Sequence, residues 1–300
     1  MSCFNILVCS KDSATDKDRD DPAWVYLRSL GHRVQACHPS QVDKRRWKPD
    51  ALLGMGVTLM EETFAAKEQY PNVPLFLYNW DCYEWVWTNP RPGEYDYKRY
   101  GELVRLATEV WVPSECTRKR TYQWWPWTKK CEIILSACPW WEWPEDDIKD
   151  DGFALCALRD IPDPWCGVFE KCCEEIGMSY KSLKHEASEY DYKYAITHCR
   201  FIVDHYYEAS TGGLSLMEAY YHGKPALISD SEWNGGIDYM GDRAWYFNYP
   251  DLNSFKGMLR SMYNQPPVLD RAACRNWITA NYSDKRMADD VVRRIHANLQ

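Results

Sequence analysis

The sequence predicts an α/β protein made of two Rossmann-like, doubly wound domains, and three observations carry that prediction. Short apolar runs of strand type alternate with segments of helical periodicity along the chain. The alternation breaks at residues 138–147, where Pro139, Pro144 and the run Glu145-Asp146-Asp147 read as a linker. Finally, Glu208 to Asp230 reads in succession as loop, helix start, short helix and buried strand, an order that makes an anion site at the end of a parallel sheet. The expected domains are residues 1–138 and 139–283, followed by a last helix over 284–299.

Each element has a local reason. Asn5 to Val8 is the first core strand, ending at Ser10, and a polar loop from Lys11 to Asp21 follows it. Pro22 suits a first helical turn, Trp24, Leu27 and Leu30 share one face, and Gly31 closes that helix before Val34 enters the sheet. Strands recur at Ala51-Leu52-Leu53 and Leu75-Phe76-Leu77-Tyr78, with helices near Thr63–Tyr70 and Tyr97–Ala107. Val110-Trp111-Val112 is a strand that runs into Pro113, and Ser114 caps the next helix. Lys130 to Ser136 is the last strand of the first domain. A second alternating set begins at Phe153–Leu158 and continues through Ile228, with Cys172 and Cys173 adjacent on a helix.

The segment from Glu208 to Asp230 carries the chemistry. Phe201-Ile202-Val203 is a strand, Gly212 and Gly213 permit a sharp turn and close approach to a ligand, and a helix starts at Leu214. The free amides and dipole of that helix would stabilise a phosphate without a basic side chain. Leu214, Met217 and Tyr221 fall on one face, Gly223 ends the helix, and Pro225 leads into the strand Ala226-Leu227-Ile228. Glu218 sits about one turn in, where a carboxylate can accept hydrogen bonds from a ribose diol. An ordinary βαβ unit with a solvated Glu218 would share this spacing.

Gly213, Leu214, Glu218, Ala219, Gly223 and Pro225 resemble the donor-binding signature of the retaining GT-B glycosyltransferases, family 4 in particular. Independently, Val110-Trp111-Val112-Pro113-Ser114-Glu115-Cys116-Thr117-Arg118 resembles the strand-to-helix segment near the end of that family's N-terminal domain. The resemblance implies two domains facing across a cleft, the first for the acceptor and the second for a nucleotide-sugar donor, with helix 284–299 packed back on the first. It implies a hexosyl- or pentosyltransferase acting with retention on a UDP- or GDP-linked sugar. Arg159, after the strand ending at Leu158, matches an Arg that stabilises the diphosphate leaving group. Its usual partner Lys is replaced by Pro164, and the Gly-Gly pair of the first loop is absent, with Ser10, Lys11 and Ser13 in that region. Where the family carries its first Glu this chain has Ser210, so either Glu208 reaches the sugar or the Ser210 and Thr211 hydroxyls hold it. Lys184, His185 and Tyr190 flank the expected base pocket.

On the acceptor side, Tyr78-Asn79-Trp80-Asp81 ends a strand where the family has His-Asp. Asp81 is the candidate that orients or partly deprotonates an acceptor hydroxyl. Between Arg118 and Lys130, basic residues Arg118, Lys119 and Arg120 interleave with Tyr122, Trp124, Trp125 and Trp127, as in binders of single strands or flipped bases. Lys44-Arg45-Arg46-Trp47-Lys48 repeats the theme. The acceptor is therefore a small molecule, a glycan or DNA, the last in a compact phage-type enzyme acting on a hydroxymethylated pyrimidine. A nucleotide-sugar binding module without catalysis is the alternative outside the enzyme class.

Composition narrows the field. The formal net charge is −8, its acid excess carried almost wholly after Trp140, which argues against a dedicated polyanion or membrane binder. Thirteen cysteines lack a regular period and their odd number forbids complete pairing, so reduced thiols and a cytoplasmic setting are expected, host cytoplasm if viral. No apolar stretch is long enough to span a membrane, and Met1–Val8 lacks the basic flank of a signal peptide. No cofactor and no metal are expected, because an Asp-x-Asp pair in a strand-end context is missing.

Overall fold

The computed structural model describes residues 3–10, 22–42, 47–80, 87, 96–137, 148–157, 164–183, 187–204 and 213–299. The chain divides into two compact units, one formed by Met1–Ala137 with Tyr282–Gln300 and the other by Cys138–Asn281. The first unit runs β1 (Asn5–Cys9), α1 (Pro22–Ser29), β2 (Arg33–Cys37), β3 (Ala51–Met55), α2 (Met60–Gln69), β4 (Leu75–Tyr78), α3 (Tyr97–Leu106), β5 (Glu109–Val112), α4 (Glu115–Trp124) and β6 (Cys131–Ile133). The second runs β7 (Ala154–Cys156), α5 (Pro164–Ile176), β8 (Tyr180–Ser182), α6 (Glu189–His198), β9 (Phe201–Asp204), α7 (Leu214–Tyr221), β10 (Ala226–Ser229), α8 (Gly236–Met240), β11 (Trp245–Phe247), α9 (Leu252–Asn264) and α10 (Arg271–Asn281). The C-terminal helix α11 (Asp284–Leu299) belongs to the first unit, where it packs against α1.

Both sheets are parallel throughout. The first has the order β2-β1-β3-β4-β5-β6 and the second β11-β10-β9-β7-β8. A parallel strand covered by helices on both faces must be apolar along its whole length, and β3, β4, β5, β9 and β10 are buried or nearly so at every position. The core of the first unit joins Ile6, Val8, Leu53 and Phe76 to Trp24 and Leu27 of α1 and to Ala288, Val291 and Ile295 of α11. That of the second joins Cys156, Phe201, Val203 and Leu227 to Phe169, Cys173, Phe255 and Leu259.

Several boundaries shift from those the sequence predicts. The strand over Lys130–Ser136 shortens to Cys131–Ile133 because it is an edge strand whose only partner, β5, offers three residues of register. The short polar strand β8 has no apolar run to announce it, and β11 extends the second sheet beyond Ile228. Caps follow sequence logic: Ser114 accepts from the Thr117 amide at 3.2 Å, Asp96 from the Arg99 amide at 2.9 Å, and Gly223 leaves α7 at φ +75°.

One buried carboxylate ties α11 to the sheet. Glu109 opens β5 and is 1% exposed. It accepts from Arg294 at 2.6 and 3.0 Å, from Asn298 at 3.0 Å and from the Trp111 indole at 3.0 Å, and it pairs with Lys130 at 2.6 Å. Burial by itself raises the pKa of this group, but the hydrogen bonds from Arg294, Lys130, Trp111 and Asn298 outweigh it and pull the value down to about 2. A carboxyl depressed in the folded state stabilises fully above its unfolded value near 4.5 and loses that contribution as pH falls toward about 2. Glu109→Gln is therefore expected to cost on the order of 3 kcal/mol at neutral pH in urea unfolding. Its destabilisation relative to wild type should shrink as pH is lowered from 5 to 3; a penalty that stays constant over that range refutes the assignment.

Candidate functional site

Ligands of doubly wound sheets bind beyond the carboxyl ends of the strands where the order reverses. In the second unit that reversal falls between β7 and β9, and in the first between β1 and β3. Arg159, Glu208, Ser210, Thr211 and Gly212 lie outside the described residues, as do Lys11 and Asp81 in the first unit and Lys184 and His185 in the second. The sequence-predicted residues whose placement is described are Gly213, Leu214 and Glu218 in the second unit and Ser10, Trp80, Arg118, Lys119 and Arg120 in the first.

Helix α7 follows β9 and starts at the reversal. Gly213 is its N-cap with no side-chain cap, so the first-turn amides have no acceptor within the helix. The need for glycine here has a cause other than ligand approach: a Cβ on Gly213 would lie less than 3.0 Å from the Tyr239 ring, and Tyr239, on α8, is 2% exposed. The next small residue on that wall is also fixed by packing, since a Cβ on Gly236 would meet Leu216 at 2.8 Å and the Asn234 carboxamide at 2.9 Å. Asn234 stitches the strand ends together, donating to Ser229 Oγ at 2.9 Å and to the Asp204 carbonyl at 3.4 Å while its Oδ1 accepts from the Gly236 amide at 2.8 Å.

Glu218 lies one turn into α7 and is buried. The Tyr192 hydroxyl of α6 donates to its Oε2. This bond orients the carboxylate, a group that accepts at about four lone-pair sites. Leu214, at the start of the helix, is 43% exposed. The same α6 forms one wall of a cavity of about 390 Å³ at the carboxyl end of β8, lined by Ser182, Leu183, Asp191, Tyr194 and Ala195 among others. Ser182 Oγ is buried there with no hydrogen-bond partner among the described residues. Tyr190, named from sequence as a flank of the base pocket, is exposed and stacks against Tyr194 at 6.4 Å. Behind α7, His222 is held down to about 3 by burial and then by the nearby charges of Arg271, Arg275 and Lys224, so it is neutral at physiological pH.

In the first unit Ser10 is buried at the end of β1, its amide donating to the Cys37 carbonyl at 3.2 Å. Trp80 stands at the end of β4 edge-on to Tyr78 at 5.3 Å and against Gly56, whose φ of +71° and 3.3 Å clearance from the indole both call for glycine. The basic and aromatic segment is mostly absorbed by packing. Arg120 is buried, Arg118 pairs with Glu115 at 2.6 Å, and Lys119 is exposed. Trp124 and Trp125 join Trp87, Tyr97 and Tyr100 in an aromatic core, and Arg105 covers Trp127 at 3.8 Å. Interleaving along the sequence therefore does not become a row of free rings on a surface. The reason is periodicity: α4 turns Arg120, Thr121 and Trp124 inward together.

Tyr192, Asn234 and Tyr239, which hold Glu218, the strand ends and Gly213, escaped sequence reasoning, since nothing in their spacing links them to the glycine segment. Among the described residues no group of three or more His, Cys, Asp or Glu is placed to hold a metal, no two cysteines form a disulfide with each other, and no helix is long and apolar enough to cross a membrane.

No protein-family model and no curated protein sequence matches the chain. Solved structures do. A glycosyltransferase from Rickettsia africae superposes with a TM-score of 0.69 at 8% identity, covering 100% of both chains. A sucrose-phosphate synthase from Thermosynechococcus elongatus gives 0.65 at 12%, covering 98% of this chain and 99% of its own. HepE from Anabaena, in complex with UDP and glucose, gives 0.64 at 10%, covering 98% and 100%. At such identities the likeness is one of fold, and the fold is GT-B: two Rossmann-like units with parallel sheets of six and five strands.

The packing account of Gly213 makes a direct test. Gly213→Ala is expected to lower the thermal midpoint because the Tyr239 ring must move. Gly167→Ala, in α5 with open space around the added methyl, should stabilise by about 0.5–1 kcal/mol. Equal effects of the two substitutions in calorimetry would show that Tyr239 does not set the residue at 213.

Proposed function

We propose that this protein is a glycosyltransferase that takes a sugar from a nucleoside diphosphate donor held by the second unit and moves it to an acceptor hydroxyl. The observation that carries the reading is Glu218, a buried carboxylate one turn inside the helix that starts at the reversal of the second sheet, oriented by Tyr192 of the helix that also walls the cavity beyond β8. In this reading the α7 amides and dipole stabilise the diphosphate. Glu218 accepts hydrogen bonds from the ribose hydroxyls, and the cavity, within the usual size range of small-molecule sites, takes the base.

The chemistry follows from where charge develops. As the bond from sugar to phosphate breaks, negative charge grows on the leaving diphosphate, and donors already aimed at it lower the barrier without reorganising. Arg159 is the side chain expected from sequence to add to that stabilisation. Asp81, with Trp80 beside it in the chain, is the acceptor-side candidate. A transfer in which the leaving phosphate takes the acceptor proton needs no strong base, which is consistent with retention of anomeric configuration. UDP is the first donor base to test because HepE, which has this fold, was crystallised with UDP and with UDP-glucose. The burial of Arg120, Trp124 and Trp125 gives no support to a DNA acceptor.

The test is calorimetric titration with UDP-, GDP- and ADP-sugars followed by product analysis. One class should bind, and Glu218→Ala should weaken it by roughly 10- to 100-fold, the range for hydrogen bonds to a charged acceptor. Transfer of the anomeric sugar proton signal to a new product would establish turnover. Absence of binding by every nucleotide sugar, or wild-type affinity in Glu218→Ala, would overturn the donor assignment; binding without transfer to any acceptor would leave a nucleotide-sugar binding module.

A further inference from the structure

At the other end of the first sheet, away from the reversal, the residues that precede β1 and β2 meet α11 around a cavity of about 650 Å³. That volume is in the range of small-molecule sites. Its apolar wall is formed by Phe4, Leu30 and Val292. His32 lines it as well, 5% exposed and stacked on Phe4 at 5.6 Å. The His32 Nδ1 accepts from the Phe4 amide at 3.1 Å, which fixes the neutral tautomer with the proton on Nε2. That Nε2–H has no acceptor among the described residues. Burial holds the imidazole pKa below its usual value, in keeping with the neutral ring.

The rim is charged. Lys285 and Arg293 line the opening with Asp289, which pairs with Lys285 at 2.9 Å. Arg293 pairs with Asp290, and its side chain is 73% exposed. An apolar wall, the His32 Nε2–H and the two cationic side chains at the opening suit a molecule with a hydrocarbon body and one anionic acceptor group. A ligand carboxylate can accept from that N–H while its chain covers Phe4 and Val292.

We propose that the first unit carries a second, separate ligand site in this cavity, specific for small amphipathic organic acids, with His32 Nε2–H as the donor to the carboxylate. The proposal stands apart from the glycosyltransferase reading, because no residue of the donor or acceptor site enters it.

Octanoate is the probe, titrated calorimetrically into the full-length protein, with 1-octanol as the uncharged comparison. Octanoate should bind at one site and 1-octanol at least roughly tenfold more weakly. Leu30→Trp, at a 45% exposed position on the cavity wall, should abolish binding while the thermal midpoint stays unchanged. His32→Asn keeps an acceptor within reach of the Phe4 amide and withdraws the Nε2 donor; it should weaken octanoate roughly tenfold and leave octanol alone. No octanoate binding at millimolar concentration, equal binding of octanol, or binding that survives both substitutions overturns the proposal.

Discussion

A carboxylate taken out of water must be held by donors, and the way Glu218 is held organises the second unit. Its Oε2 accepts from Tyr192, so α7 is tied to α6 at the depth where the two helices leave the sheet. One turn earlier, the Tyr239 ring presses on the backbone at Gly213 and fixes where α7 begins. Between them these two tyrosines set the position and the direction of the helix N-terminus. Asn234 adds the third restraint by joining the ends of β9 and β10. Electrostatic help to a leaving group requires donors that do not have to reorganise, and rigid seating of the helix supplies that condition.

The first unit uses a related device for another purpose. Glu109 is also buried and also held, but by Arg294, Asn298, Lys130 and Trp111, and its role is to fasten α11 to β5. The helix contributes Ala288, Val291 and Ile295 to the core formed with α1 and the sheet. Burial alone would push the Glu109 carboxyl toward protonation. At Glu109 two cations and two neutral donors reverse that tendency.

Much of the architecture is legible in local chemistry. Pro22, Gly31, Ser114 and Gly223 mark helix ends that the structure contains, and the apolar runs at Leu75, Val110 and Ala226 are strands. Pro164, met in sequence as the replacement of an expected Lys, is the first residue of α5, a position that proline suits because its missing N–H would have no helical acceptor. The polar edge strand β8 and the terminal strand β11 are less legible. Their strand character comes from a neighbour that supplies hydrogen bonds, not from an apolar run of their own.

What the sequence by itself determined is the alternation of elements, the helix that starts at Gly213 and the position of Glu218 on it, because these depend on contacts within a few residues. Only the tertiary structure decided the strand order, and with it the two reversals. It also decided that Gly213 answers to Tyr239, that Glu218 answers to Tyr192, and that the tryptophans near Arg120 pack inside. Those outcomes rest on residues 26 positions apart or on which face of a helix meets the sheet, and neither is encoded in spacing along one segment.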